Sequence, residues 1–217
     1  MNSEIFSIIT TTFCMAFMST AISSCLGIIF GIMLAKAKFP GKKIVVRLCR
    51  TFIGMPPVVI GLIVFLLLMR NGPLGFLGWI FTIQGMVFAQ VLLITPIVTG
   101  IIYTAASRMG PEIRAFAKTM GANKYQTLFL MMKEMRQEIY FAVIAGFGRA
   151  ISEVGAVLIV GGNIQNKTRT MTTTIAMMRN MGNFTQAITL GIILIIIAFL
   201  LQTLSDIFCK EREEENF

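Results

Sequence analysis

Four stretches of this chain carry no Asp, Glu, Lys or Arg: between Glu4 and Lys36, Arg50 and Arg70, Arg70 and Arg108, and Arg179 and Asp206. This feature limits the possible folds more than any other. Uncharged apolar runs above about 18 residues read as membrane-spanning helices. The composition agrees, with 56% of the 217 residues hydrophobic and 13% charged, where soluble domains carry about 25% charged residues. The expectation is an all-α integral membrane protein forming one transmembrane domain over residues 1–217.

Five spans fit the pattern, near residues 10–35, 52–69, 79–103, 139–161 and 184–206. Each is long enough for a hydrocarbon core of about 30 Å at about 1.5 Å per residue. NGPLG at 71–75 predicts a tight turn before the third span, with Trp79 at the interface. Pro96 predicts a kink within that span, with the Thr95 hydroxyl available to a freed carbonyl. Pro56 and Pro57 suit a helix's first turn. The N-terminus lacks the basic start of a cleavable signal and reads as a retained first span.

Basic residues set the orientation. Lys36, Lys38, Lys42, Lys43, Arg47 and Arg50 occupy one loop, Arg108, Arg114, Lys118, Lys124, Lys133 and Arg136 another, and Lys210 and Arg212 the tail. The opposite side holds only Arg70, Lys167, Arg169 and Arg179. The positive-inside rule puts the richer side in the cytoplasm, so the N-terminus is expected outside and the C-terminus inside. Orientation and anionic headgroups explain the net charge of +9 without a nucleic-acid partner. The short charged tail KEREEENF is expected to be solvated. Cys14, Cys25, Cys49 and Cys209 have no paired spacing and read as small apolar packers.

The segment 104–138 is too long for a turn and too polar to span. Pro111 fits the first position of a helix whose apolar face is Ile113, Phe116, Ala117 and Met120. Gly121 fits a helix end, and Asn123 with Gln126 forms a capping-box pattern for a second helix. That helix would present Tyr125, Leu128, Phe129, Met132 and Met135. Two short amphipathic helices of this kind either lie on the lipid surface or fill a groove on a cytosolic partner.

Residues 146–156, GFGRAISEVGA, break the rule of uncharged spans. Arg149 falls near the bilayer midplane, where a charge costs at least about 2.5 kcal/mol and must face protein or water. Glu153 follows at i+4, with Ala142, Gly146, Gly148, Ser152, Gly155 and Ala156 around the pair allowing close helix approach. Two readings stand: a self-neutralising pair that fixes helix register, or a pathway in which Arg149 lowers the barrier for a dianion and Glu153 prevents trapping. Beyond it, 161–183 holds glycines, hydroxyls and three cations, with Asn163 near its start. It reads either as a solvated loop or as an anion-facing gate.

The loop residues Ala115, Phe116, Ala117, Gly121 and Ala122 resemble the coupling loop of ABC-importer permeases, whose pattern is E-A-A-x-x-x-G followed by I-x-L-P. Ala115 stands where that family has glutamate, and Lys133-Glu134 replaces Leu-Pro. MPPVVIGL, and AGFGRAISEVGAVLIVGGNI followed by TRTMTTTI, are similar to the molybdate/tungstate oxyanion group, most closely its tungstate branch. The resemblance spans nearly the whole chain. It implies a type I importer fold and a homodimer in the cell membrane, working with cytosolic ABC ATPase subunits and an extracytoplasmic solute-binding protein. It also implies that a coupling segment near 107–137 docks the ATPase through Ile113, Ala115, Phe116, Ala117, Gly121, Ala122, Tyr125 and Phe129. Arg149, Ser152, Glu153 and Asn163 would then line the anion pathway or gate.

The chain has no G-x-x-x-x-G-K-[ST], so ATP and Mg belong to the ATPase partner and no cofactor is expected here. It has no histidine and no intramembrane carboxylate cluster, which argues against a membrane enzyme. A stand-alone secondary anion carrier or channel would call for inverted repeats with broken helices, and no such internal symmetry is visible. Molybdate or sulfate remains the alternative cargo.

Overall fold

Among the described residues of the computed structural model, three helices are long and apolar enough to cross a membrane alone: α1 (Asn2–Lys36), α4 (Ile83–Thr119) and α9 (Phe184–Glu214). Two bent pairs raise the count to as many as five. These are α2 (Lys42–Ile53) with α3 (Pro57–Leu68), bent by 102°, and α6 (Arg136–Ser152) with α7 (Gly155–Gly161), bent by 58°. The remaining helices are α5 (Lys124–Glu134) and α8 (Met171–Asn180), plus one 3₁₀ turn at Gly75–Leu77. The structure describes residues 2–37 and 39–214, with side chains for 4–37 and 39–203. Cys209 and the solvated-tail expectation lie outside the described side chains.

The centre of the molecule is the contact of α1 with α4. Gly27 and Gly31 of α1, four residues apart, turn one face to α4. A methyl added at Gly27 would stand 2.6 Å from Val98 Cβ, and one at Gly31 2.8 Å from Ile102 Cβ. Small residues at this spacing let two backbones approach closely, the main source of helix affinity where lipid supplies no hydrophobic drive. Gly146 brings α6 onto Ile94 in the same way, at 2.9 Å. One apolar cluster joins these three helices around Ala16, Ile32, Ile94, Val98, Ile102 and Ala142. A second joins α3, α4 and α7 around Ile60, Val64, Leu93, Ala156 and Val160.

The expected span 52–69 is reshaped by its prolines. Pro56 has φ −59° and ψ 125°, and Pro57 opens α3, so the chain turns sharply there. With 12 residues, α3 is only about 18 Å long. Residues 52 and 53 belong instead to α2, whose side chains are nowhere fully buried.

Pro111 does not start a separate helix. Helix α4 runs through both Pro96 and Pro111 for 37 residues, so the expected third span and the first of the two expected amphipathic helices are one rod. Arg114 turns back to donate from Nε to the Gly110 carbonyl at 2.8 Å. Thr95 does not bond to a carbonyl freed by Pro96; its Oγ1 is buried without a partner. Asn123 caps α5 with a reciprocal Gln126 capping box, as the spacing predicts. Cys14 and Cys25 face outward from α1 rather than into its packing.

The segment 161–183 is solvated only in part, with residues 164–167 and 179–183 exposed. Thr168, Thr170, Thr172, Thr173 and Thr174 are buried, and Thr170 forms a capping box with Thr173 at the start of α8. Met171 N–H donates to Thr12 Oγ1 of α1 at 2.9 Å, tying this segment to the first helix. Glu4 accepts from Arg169 at 3.0 Å and from Gln165 at 2.9 Å at the same end. Helix α9 is the outlier, with only 6% of its most apolar window buried.

Replacing Gly27 by Leu is expected to force α1 off α4 and cost at least about 1–3 kcal/mol of stability. Gly148→Ala is the control, because nothing lies within 4 Å of the added methyl. Thermal unfolding in one detergent checks both. Equal melting of Gly27→Leu and wild type would remove the α1–α4 contact from its central place.

Candidate functional site

The charged pair of the fourth apolar run sits at the break between α6 and α7. Arg149 Nη1 lies 2.9 Å from Glu153 Oε2, with the Glu153 side chain 3% exposed and the Arg149 side chain 31% exposed. Glu153 is no longer helical; with φ −73° and ψ 129° it is the extended residue where α6 ends. Its other oxygen, Oε1, accepts from Ala156 N–H at 3.0 Å in the first turn of α7. One carboxylate therefore holds a guanidinium on one side and a helix N-terminus on the other, and both favour negative charge. The Glu153 carbonyl accepts from Thr172 Oγ1 of α8 at 2.9 Å.

A helix that stops within a membrane leaves carbonyls in its last turn that need outside donors. Gln90 of α4 supplies one, donating from Nε2 to the Ala150 carbonyl at 2.8 Å. Its Oε1 accepts from Ser19 of α1 at 2.6 Å. A single buried amide thus joins α1, α4 and α6 where α6 breaks. Ser152 Oγ donates to the Arg149 carbonyl at 3.2 Å, and Ser152 itself is exposed.

The break brings Arg149, Ser152 and Glu153 together. Asn163 stands apart, across α7, in the left-handed conformation with φ 52°. Its Nδ2 lies 3.4 Å from Met177 Sδ, while its Oδ1 is buried without a partner.

At the other end, the segment expected to form two amphipathic helices divides by burial. Ala117, Met131 and Met135 are buried, and Ile113 packs against the main core. Phe116 is 59% exposed, Phe129 72% and Tyr125 85%, with Met120, Leu128 and Met132 also outward. Ala115 and Gly121 are exposed and Ala122 half-buried. Gly121, with φ +69°, makes the turn from α4 to α5. Each face predicted to be uniformly apolar is thus split, one edge anchored inward and the other presented outward.

Sequence reading missed Gln90, Ser19 and Thr172. The signal for Gln90 was an amide standing in an otherwise uncharged run, which needs a partner when buried. The threonines gave no comparable signal, because hydroxyls bonded within their own helix suit burial and solvent alike.

Residues 27–211 match the family described as binding-protein-dependent transport system inner membrane component. The chain is 38% identical over 198 residues to a tungstate uptake system permease protein of Peptoclostridium acidaminophilum, covering 91% of this chain and 87% of the relative. It is 37% identical over 182 residues to a probable anion ABC transporter permease protein of Haloferax volcanii, with 82% and 78% covered. A tungstate uptake system permease protein of Campylobacter jejuni shares 34% over 164 residues, with 76% and 69% covered.

Gln90→Leu is expected to strand the Ala150 carbonyl at a cost of about 1–3 kcal/mol. Ser19→Ala is expected to cost less, since Gln90 keeps its bond to Ala150. A Gln90→Leu chain melting with wild type would mean that Ala150 has another donor.

Proposed function

The chain belongs to the family of binding-protein-dependent transport system inner membrane components, and on that premise we propose that its cargo is an oxyanion, tungstate before molybdate or sulfate. It is a multi-pass transport subunit of the cell membrane, not an enzyme. The named cargo of two relatives supports tungstate, and the anion permease supports the wider class.

The working unit in this reading is a homodimer with two cytosolic ATPase subunits and an external solute-binding protein. Five spans result when each bent pair counts as one, with the N-terminus outside and the C-terminus in the cytoplasm. Supporting this sidedness, Glu4 meets Gln165 and Arg169 at one end. The basic helices α2 and α5 lie toward the other. Outward apolar side chains on α1 and α9, including Phe17, Phe30, Ile192 and Phe199, leave a broad surface for lipid and a second copy.

The observation that carries the coupling assignment is the split between residues 113 and 135. Phe116, Met120, Tyr125 and Phe129 project from a turn whose Ala117, Met131 and Met135 are locked into the body. That arrangement fits a plug in a partner's groove, with closure of the ATPases passed into α4 and α6. Ile113 and Ala117 anchor the plug, Phe116, Tyr125 and Phe129 fill the groove, and Ala115, Gly121 and Ala122 allow close approach.

In the membrane, Arg149 and Ser152 offer a cation and a hydroxyl toward the anion path. Glu153 holds the break and offsets the charge, so that an oxyanion passes without being retained. Asn163 marks the outer mouth of that path, across α7.

Proteoliposomes of the permease–ATPase complex test the function. Binding protein loaded with tungstate is expected to raise ATP hydrolysis well above protein loaded with sulfate. Hydrolysis indifferent to every loaded protein would overturn the importer reading. In the same assay Arg149→Ala should lower uptake more than yield, and equal loss of both would leave the pair a purely structural device. Phe116→Asp should abolish co-purification of the ATPase; a complex recovered at wild-type yield would remove the coupling assignment.

A further inference from the structure

Helix α2 has three distinct edges. Lys42, Val46 and Cys49 are half-buried on the side of α4. Lys42 Nζ donates to the Ala35 carbonyl at 3.1 Å and lies 5.6 Å above the Tyr103 ring, which pins the start of α2 to α1 and α4. At about 100° per residue, Lys43, Arg47 and Arg50 form a second edge, all exposed. Ile44, Val45, Leu48 and Phe52 form a third, and it is apolar and exposed. A helix with its apolar and basic edges on opposite sides of a packed ridge suits the plane of a membrane interface. The 102° bend between α2 and α3 turns it out of the direction of the spans.

Two hollows meet at the start of this helix. One, of about 840 Å³, is lined by Phe39, Lys42, Lys43, Arg47, Arg50 and Tyr103. Among the described residues none of Lys43, Arg47 and Arg50 forms an ion pair. Glu138, the acid lining the cavity adjoining Arg50, is already bonded to Arg108 at 3.2 Å. The other hollow, of about 390 Å³, is almost wholly apolar, with Phe30, Met33, Phe39, Val45 and Pro96 in its wall. Phe39 belongs to both, so the cationic pocket on one side of α2 and the apolar crevice on the other share a wall at the start of the helix.

We infer that this paired hollow is a binding site for one anionic phospholipid. Its headgroup phosphate lies among Lys43, Arg47 and Arg50, and an acyl chain runs past Phe39 along the crevice between α1 and α4. The three free cations supply charge complementarity, and the crevice takes a chain that a free anion lacks. The site is independent of which anion is transported. Its occupant wedges the α1–α4 pair against α2, at the end of the molecule that carries the coupling segment.

The test compares lipid retention by the 217-residue chain, purified together with its ATPase and equilibrated in vesicles of phosphatidylglycerol or of phosphatidylcholine. Lipid that stays bound after detergent extraction is counted by native mass spectrometry. Phosphatidylglycerol is expected to remain through washes that remove phosphatidylcholine, and this comparison needs no variant. The triple substitution Lys43→Gln, Arg47→Gln and Arg50→Gln should weaken retention on the order of 100-fold, with helicity and elution volume unchanged. Arg179→Gln, at the opposite end, should leave it as in wild type. Equal retention of the two lipids by the wild-type chain overturns the proposal, as does full retention by the triple variant. Displacement of phosphatidylglycerol by excess inorganic phosphate would overturn it in favour of a free-anion site.

Discussion

Stopping a helix inside a packed bundle leaves carbonyls and amides that need outside partners, and the rest of this structure depends on how that is resolved at Glu153. Three of the freed groups have partners that tie the break to its surroundings. Gln90 takes the Ala150 carbonyl, Thr172 the Glu153 carbonyl, and Glu153 itself the Ala156 amide. Arg149 then neutralises a carboxylate that has almost no exposure. The break therefore fixes α4, α6, α7 and α8 relative to one another, and Ser19 adds α1. The ion pair keeps two short helices at an angle without leaving an unmet charge.

Much of the architecture was legible because lipid imposes a simple rule on composition. Uncharged runs identified α1, α4 and α9, and the Asn123–Gln126 spacing located the start of α5 from its own chemistry. Local signals misled where tertiary contacts outweighed them. Pro111 carries the mark of a helix start, yet α4 passes through it. The bend after Ser152 has no proline to announce it, because the turn is held by partners 60 or more residues away in Gln90 and nearby in Thr172. The hydroxyls of 161–183 fitted a solvated loop or a gate equally, and burial separates them: Thr174 donates to the Thr170 carbonyl at 2.6 Å and so needs no water.

The candidate site was legible as residues but not as geometry. Arg149 and Glu153 were visible as an i, i+4 pair, while the extended backbone between them and α7 was not. The coupling segment shows the reverse. Its amphipathic pattern was clear, but the pattern treats every apolar residue alike. Only packing separates Ala117, which anchors, from Phe116 and Tyr125, which project. A partner's surface and a protein's own core draw on the same residue types, so periodicity alone does not divide them.

The continuity of α4 has a mechanical consequence. From Gln90, fixed among three helices, to Phe116, near the α4–α5 turn, one helix runs for about 26 residues, or about 39 Å. A tilt of about 5° about the Gln90 anchor displaces Phe116 by about 3 Å over that length. The ratio works equally well in reverse: a displacement of a few ångströms at the α4–α5 turn corresponds to a small rotation beside the broken helix. Gearing of this kind trades distance for force between the α4–α5 turn and the tightly packed helices around Gln90.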